Sequence, residues 1–452
     1  MSCNHNTSRR NFLRFSGACA AIGGFSRFGM MNAFAQSGQN YQALVCVFMF
    51  GGNDGHNTVV PMTAAAYNAY KNIRGSLALP DGNTKLLPVS ARDGTQYGLN
   101  DGLTSIAPLW TQQKLAVVAN VGMLVQPTDR QQYLAGSASV PTNLFSHADQ
   151  VIQMQTANPN GSGGTGWAGR IADAVQPLNA ATSFPPSISM SGSALFCTGN
   201  LVQSASLIPG FDLTLDGMTA WPASAAAAKL QALQEIITFD TGMALVQAAN
   251  KVRQDALTLN GILKSYGTGA MFSTQFPGTS IGLQLKQVAQ IIGLRNATGA
   301  SRQVFFCSLG GFDTHSGQSW AQWDLLRQVS DGMAAFYNAT VEMGIAGQVT
   351  TFTESDFGRT LQPSGTGSDH GWGSHHLVMG GAVRGGDVYG AFPAPALGGP
   401  VDANSRGVLI PTTSIDQYGA TMAKWFGVPA AAMPQVFPNI GNFATPDIGF
   451  LG

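Results

Sequence analysis

Charge is scarce in this chain. Of its 452 residues only 10% are Asp, Glu, Lys or Arg, against about 25% in an ordinary soluble domain. The 23 basic and 23 acidic residues cancel. The first 35 residues carry four arginines and no acid, which leaves 19 basic against 23 acidic residues beyond them, net −4. A weakly acidic chain lacks the basic field that holds nucleic acid, so that class of partner is excluded. Cysteine is scarce too: five residues, two of them within the first 35. The other three, Cys46, Cys197 and Cys307, are odd in number and give no disulfide framework. Two of them sit in apolar runs that read as buried strands, where a free Cys behaves as a small hydrophobe. No run of 18 apolar residues follows the N-terminal region, so no membrane span is expected. Against these absences stand 44% apolar residues, enough to bury a large core, and 56 glycines. Disorder requires low hydrophobicity with high net charge, and the chain has neither.

Ser8-Arg9-Arg10-Asn11-Phe12-Leu13-Arg14 places paired arginines before a Phe-Leu step. A modestly apolar stretch follows, interrupted by Arg27 and several Gly and Ser, and Ala33-Phe34-Ala35 has the A-x-A form of a cleavage site. The expectation is a twin-arginine signal peptide over 1–35 and a mature domain over 36–452. Its first partner would be the twin-arginine translocase, its destination the periplasm or the outside of the cell, with no stable membrane anchor. That route carries folded proteins, often with a cofactor bound, which hints at a metal.

Residues 44–50 form a continuous apolar run closed by Gly51-Gly52, as for a strand buried on both faces. Similar runs occupy 115–121, 304–309, 349–352 and 377–383. Helical periodicity marks 146–156, 224–260, 281–294, 321–343 and 414–426. Buried strands alternating with helices predict an α/β sandwich around a largely parallel sheet. The count is one domain, with a helical insertion near 224–276.

In such a sheet ligands bind at the carboxyl ends of the strands. There the sequence places Asn53-Asp54-Gly55-His56-Asn57, Gly310-Gly311-Phe312-Asp313-Thr314-His315, and Thr353-Glu354-Ser355-Asp356-Phe357-Gly358-Arg359-Thr360. A Gly-rich loop adds Ser368-Asp369-His370 and His375-His376. Five of the six histidines beyond residue 35 lie in these segments; the sixth, His147, follows Ser146 at a helix start. Carboxylates and imidazoles are the ligand set of zinc, manganese and similar divalent ions. Asp54, Asp313, His315, Asp356, Asp369, His370 and His375 are therefore the candidate metal residues, of which at most one of His375 and His376 is expected to face the site. Asp54 also reads as a turn or helix-cap residue. Ser146 is either an N-cap or a nucleophile at a helix N-terminus, and Arg359 could pair with a bound anion or bridge acidic neighbours.

The Gly-Gly-x-Asp-Gly segment at 51–55, Ser146-His147, Gly166-Trp167-Ala168-Gly169-Arg170, Gly310 to His315, Asp356 to Thr360, Asp369-His370-Gly371, Ile410-Pro411-Thr412-Thr413 and Phe437-Pro438-Asn439 together resemble one family. It is the exported bacterial family called domain of unknown function 1501, a sulfatase-like branch of the alkaline phosphatase superfamily. The resemblance implies an alkaline-phosphatase-like three-layer sandwich and a metal-dependent hydrolase of phosphate or sulfate esters, with one or two divalent ions. Carried over by position, Asp54, Asp313, His315, Asp356 and His370 resemble metal ligands, Ser146 the nucleophile, and Arg359 an additional positive charge. Phe357 stands where active superfamily members carry a His, which removes one ligand. Formylglycine chemistry is not expected, because Ser146-His147-Ala148-Asp149-Gln150 lacks the closing Arg. Low charge and abundant Gly would suit an extended or polymeric ester. A non-catalytic binding or assembly protein on the same fold is the alternative.

Overall fold

The apolar run after residue 41 becomes the middle of a nine-stranded sheet. The computed structural model describes residues 41–452 apart from 83, 180, 181, 183, 203, 210–220 and much of 240–271. The signal segment at 1–35 lies outside the described residues, as does part of the helical insertion expected near 224–276. Gln42–Gly452 forms one compact unit.

Twelve strands occur among the described residues: β1 Gln42–Met49, β2 Val59–Pro61, β3 Leu86–Ser90, β4 Gln96–Asn100, β5 Leu115–Gly122, β6 Ser187–Ser189, β7 Ala205–Ser206, β8 Arg302–Leu309, β9 Val349–Ser355, β10 Ser374–Gly380, β11 Val388–Tyr389 and β12 Thr413–Ser414. The main sheet runs β11-β5-β10-β9-β1-β8-β6-β7 with β12 beside β5. Only β10 is antiparallel, to both β9 and β5; the other pairs are parallel. A small sheet, β2-β4-β3, was not foreseen from periodicity. β1 lies between β8 and β9 and is buried from Ala43 to Met49, which accounts for its unbroken apolar sequence.

Among the described residues, the helices of eight or more residues are α1 Ala64–Arg74, α2 His147–Thr156, α3 Trp167–Ala174, α4 Ala223–Thr238, α5 Ser280–Gly293, α6 Gln318–Glu342 and α7 Ile415–Phe426. On one sheet face α2, α3 and α7 bury Met154, Trp167 and Tyr418 among Leu44, Cys46, Phe48, Phe306 and Phe352. The alternate residues Val45, Val47, Phe305 and Cys307 point to the other face. There α5 and α6 pack together, and Gln284 of α5 donates to Ser308 O at 2.9 Å. Two helical layers around a mostly parallel sheet make the molecule an α/β three-layer sandwich. Helices following parallel strands return from the strands' carboxyl ends, so loops from β1, β8 and β9 meet at one edge. β10 runs the other way, and the loop before it opens on the same edge. Among the described residues no helix is long and apolar enough to cross a membrane.

Candidate metal centre

The strand-end turns put their backbone where large side chains cannot go. After β1, Gly51 and Gly52 have φ of +113° and +83°, a region that residues with a Cβ avoid. Gly51 N–H lies between the two Asp356 oxygens, at 3.1 and 3.2 Å. A Cβ on Gly51 would run into the Asp313 backbone nitrogen, so the β1 and β8 loops touch there.

Three imidazoles converge on one oxygen. His147 Nε2 lies 3.4 Å from Asp313 Oδ1, His315 Nε2 3.0 Å and His370 Nε2 3.5 Å. His315 and His370 bring their Nε2 atoms within 3.0 Å of each other. The opposite nitrogens face oxygens outside the cluster. His147 Nδ1 donates to Asp356 Oδ2 at 2.7 Å, and His370 Nδ1 donates to Phe145 O at 2.7 Å. His315 Nδ1 stands 3.5 Å from Asp369 Oδ1. Acceptors at Nδ1 assign the proton there, which leaves each Nε2 lone pair aimed inward. Lone pairs 3.0 Å apart repel unless a cation or proton lies between them. Ligands about 2.0–2.1 Å from a tetrahedral ion stand about 3.3–3.4 Å from one another, close to the 3.0–3.5 Å found here. The donor set suits zinc, and second-shell oxygens on the far ring nitrogens are the usual companions of metal-bound histidine. His147, Asp313 and His370 each offer a ligand atom within 4.8 Å of the other two; His315 stands outside that group, against Asp313 and His370.

The surroundings hold these rings in place. His147 is the first residue of α2, and the turn before it is strained: Asn143 and Phe145 have φ of +51° and +71°. Gln150 Oε1 accepts the Phe145 N–H at 2.6 Å, so the carbonyl that holds His370 is itself pinned. Phe357 is buried, with its ring 4.6 Å from that of His147 and 4.9 Å from that of His370. Its ring thus supplies a wall for two of the imidazoles. Buried Arg359 donates from Nη2 to Asp313 Oδ1 at 2.8 Å, while its Nε and Nη1 have no partner among the described residues. Arg406 pairs with Asp369 at 2.7 Å.

The charges shift accordingly. Asp356, through its hydrogen bond, raises the pKa of His147. Partial burial, with His147 and Arg359 nearby, lowers that of His370. Burial pushes the Asp313 carboxyl up, but Arg359, His315 and His147 outweigh it and leave it below the ordinary value.

Asp313, His315 and His370 are therefore brought together as the sequence reading expected. Asp356 and Asp369 stand one shell out, against His147 and His315, rather than in the converging set. Three other candidates lie outside the converging set. Asp54 is fully engaged elsewhere: it caps a short helix through His56 N–H at 3.0 Å, pairs with Arg74 and accepts from Gln318. His375 lies on β10, not in a loop; its Nδ1 accepts the Asn120 N–H at 3.0 Å and its ring stacks on Phe392 at 4.4 Å. Burial drives its pKa well down, and His376 is likewise buried, beside Tyr418. Ser146 Oγ donates to Asp149 Oδ2 at 2.6 Å, and its neighbour His147 is the residue that enters the cluster. His147 was left out because a His at a helix start carries no metal signal of its own; Asp356, 209 residues away, supplies it.

No curated protein matches the chain in sequence. Among solved structures, it resembles Ps i-CgsB in complex with k-i-k-neocarrahexaose at 8% identity and TM-score 0.33, covering 86% of this chain and 73% of that one. It also resembles the PsFucS1 sulfatase from Pseudoalteromonas sp. at 10% identity and TM-score 0.35, covering 88% and 70%. The family described as protein of unknown function (DUF1501) matches residues 41–406, and the chain belongs to that family.

Proposed function

We propose that the chain is an exported hydrolase of anionic esters, phosphate or sulfate, that works through one divalent ion, zinc first, held by His147, Asp313, His315 and His370. The observation that carries this reading is the convergence of three imidazole Nε2 atoms on Asp313 Oδ1, with Nδ1 of each facing an outer oxygen. A bound ion of this kind supplies Lewis acidity and lowers the pKa of a water at the site. The chain's own residues set the stage for it. Asp356 and the Phe145 carbonyl hold protons at Nδ1 of His147 and His370. Arg359 keeps Asp313 ionised, and Phe357 seals the underside of the two rings.

Charge balance favours an anionic substrate. Arg359 offsets Asp313 and Arg406 offsets Asp369, so Asp356 is the one carboxylate around the cluster without a cation beside it. A divalent ion then leaves the centre net positive, and two Arg359 donors remain unspent. The engaged Ser146 hydroxyl points to water rather than serine as nucleophile. An alkaline-phosphatase-like relationship agrees with metal residues at the carboxyl ends of parallel strands, and Arg9-Arg10 supports export by the twin-arginine route.

The test is metal content by elemental mass spectrometry on protein purified without chelator, followed by hydrolysis assays with p-nitrophenyl phosphate and p-nitrophenyl sulfate. About one zinc per chain is expected, lost together with turnover in His147→Ala. A folded protein that takes up no divalent ion on reconstitution would end this reading.

A further inference from the structure

Beside the histidine cluster lies an open groove of about 420 Å³. Phe50, Gly51, Ala148, Val151 and Gly311 line it, together with His147, Asp313 and Asp356 of the cluster. The Phe50 ring sits 4.5 Å from Phe48 and 6.4 Å from Phe306, so the floor of the groove continues into the apolar core. Most of its exposed surface is apolar, and the polar side chains that reach it are His147, Asp313 and Asp356 of the cluster. A sugar ring placed there would lose water from its hydroxyls and find as partners only His147, Asp313 and Asp356, which are already engaged with one another, Arg359 and Gly51, so desolvation costs more than its carbon face returns. A ring or chain without hydroxyls loses nothing and gains apolar contact.

Resting on the ester-hydrolase reading, we propose that this groove is the subsite for the organic part of the substrate, and that it selects an aryl or alkyl group over a sugar. The substrate class is thus an apolar ester of phosphate or sulfate, its anionic head at the histidine cluster and its hydrocarbon along Phe50 and Val151. This departs from the extended, polymeric ester that composition suggested.

Calorimetry on the zinc-reconstituted full chain, with phenylphosphonate and methylphosphonate as probes, tests it. The two share one anionic head and differ only in apolar size. Phenylphosphonate should bind at least about tenfold more tightly, the lower end of what a single apolar increment yields in a fitted pocket. The double variant Ala148→Asn, Val151→Thr should bring that ratio close to one while zinc stoichiometry stays unchanged. Val151 is half-buried and Ala148 exposed, so both sites tolerate these small polar side chains, and unchanged zinc uptake reports an intact fold. Equal binding of the two probes, binding of neither, or a ratio untouched by the double variant would each overturn the assignment. Each of those results leaves the metal centre standing if zinc is bound and lost in His147→Ala. Absence of zinc uptake, by contrast, removes the hydrolase reading itself.

Discussion

At the scale of single residues, one hydrogen bond does most of the positioning in the cluster. Asp356 is buried, receives Gly51 N–H on both oxygens and fixes His147 through Nδ1. Asp356→Asn should weaken zinc binding about 10–100-fold, the usual effect of losing a carboxylate behind a metal-bound histidine. Competition with a chromogenic chelator measures it, and unchanged affinity would show that the ring is oriented by something else. The same contact sets a pH dependence. Because Asp356 raises the His147 pKa, proton and zinc compete for Nε2, so zinc affinity weakens as pH falls below that raised value and levels off above it. In Asp356→Asn the pH below which zinc affinity begins to fall, read from affinity measured across pH, should move lower. Ser146→Ala, by contrast, should leave turnover within about a factor of two, as expected of a half-buried hydroxyl outside the cluster. A drop of a hundredfold would restore Ser146 as nucleophile.

At the scale of elements, the strand-end turns matter more than the strands they terminate. Gly51 is required because the β1 and β8 loops share one small space, and Gly311 because its φ is +106°. Gly51→Ala forces φ near +113° on a residue with a Cβ and drives that Cβ into the Asp313 backbone. It should cost about 1–3 kcal/mol of stability and lower zinc occupancy, since Gly51 N–H also holds Asp356; denaturant unfolding and metal analysis read both. A variant as stable as the parent with full zinc would show that the turn is not tightly set. The Gly166 to Arg170 motif turns out to be structural by comparison. Gly166 and Gly169 lie against the backbone near residues 195–199, Trp167 enters the core, and Arg170 donates to the carbonyls of Thr156, Thr165 and Val436. Buried strands β1, β5, β8 and β9 and helices α2, α5, α6 and α7 were legible in the sequence because their periodicity is local. β10 was misplaced by three residues, and its two histidines with it, because polar residues inside a buried antiparallel strand resemble a loop.

At the scale of the whole molecule, buried neutral histidines tie stability to pH. Desolvation lowers the pKa of His56 to about 4 and of His376 to about 3, from an ordinary 6.5. A base with a depressed folded pKa contributes stability that is complete above pH 6.5 and is lost as pH falls toward the folded value. The melting temperature should therefore fall on acidification from pH 7 toward about pH 4. His376→Phe should flatten that slope, because His376 Nε2 has no hydrogen-bond partner and its ring already stacks beside Tyr418. Parallel slopes for the two proteins would exclude His376 as a contributor. Asp416 acts in the opposite direction: burial raises it to about 7, so its contribution is lost as pH rises through neutrality.

The sequence by itself determined the alternation of buried strands and helices, the absence of a disulfide framework, and a histidine–carboxylate chemistry at the strand ends. These follow from residue type and short-range spacing. Only the tertiary structure decided which titratable groups meet. Asp54 and His375 carry the same chemistry as Asp313 and His370, yet one pairs with Arg74 and the other stacks on Phe392. A metal centre needs donors to converge within a few ångströms from directions that no single segment can supply. Here the candidate donors are residues 147, 313 and 370, with 315 beside them, and that convergence exists only once β1, β8, β9 and β10 are side by side.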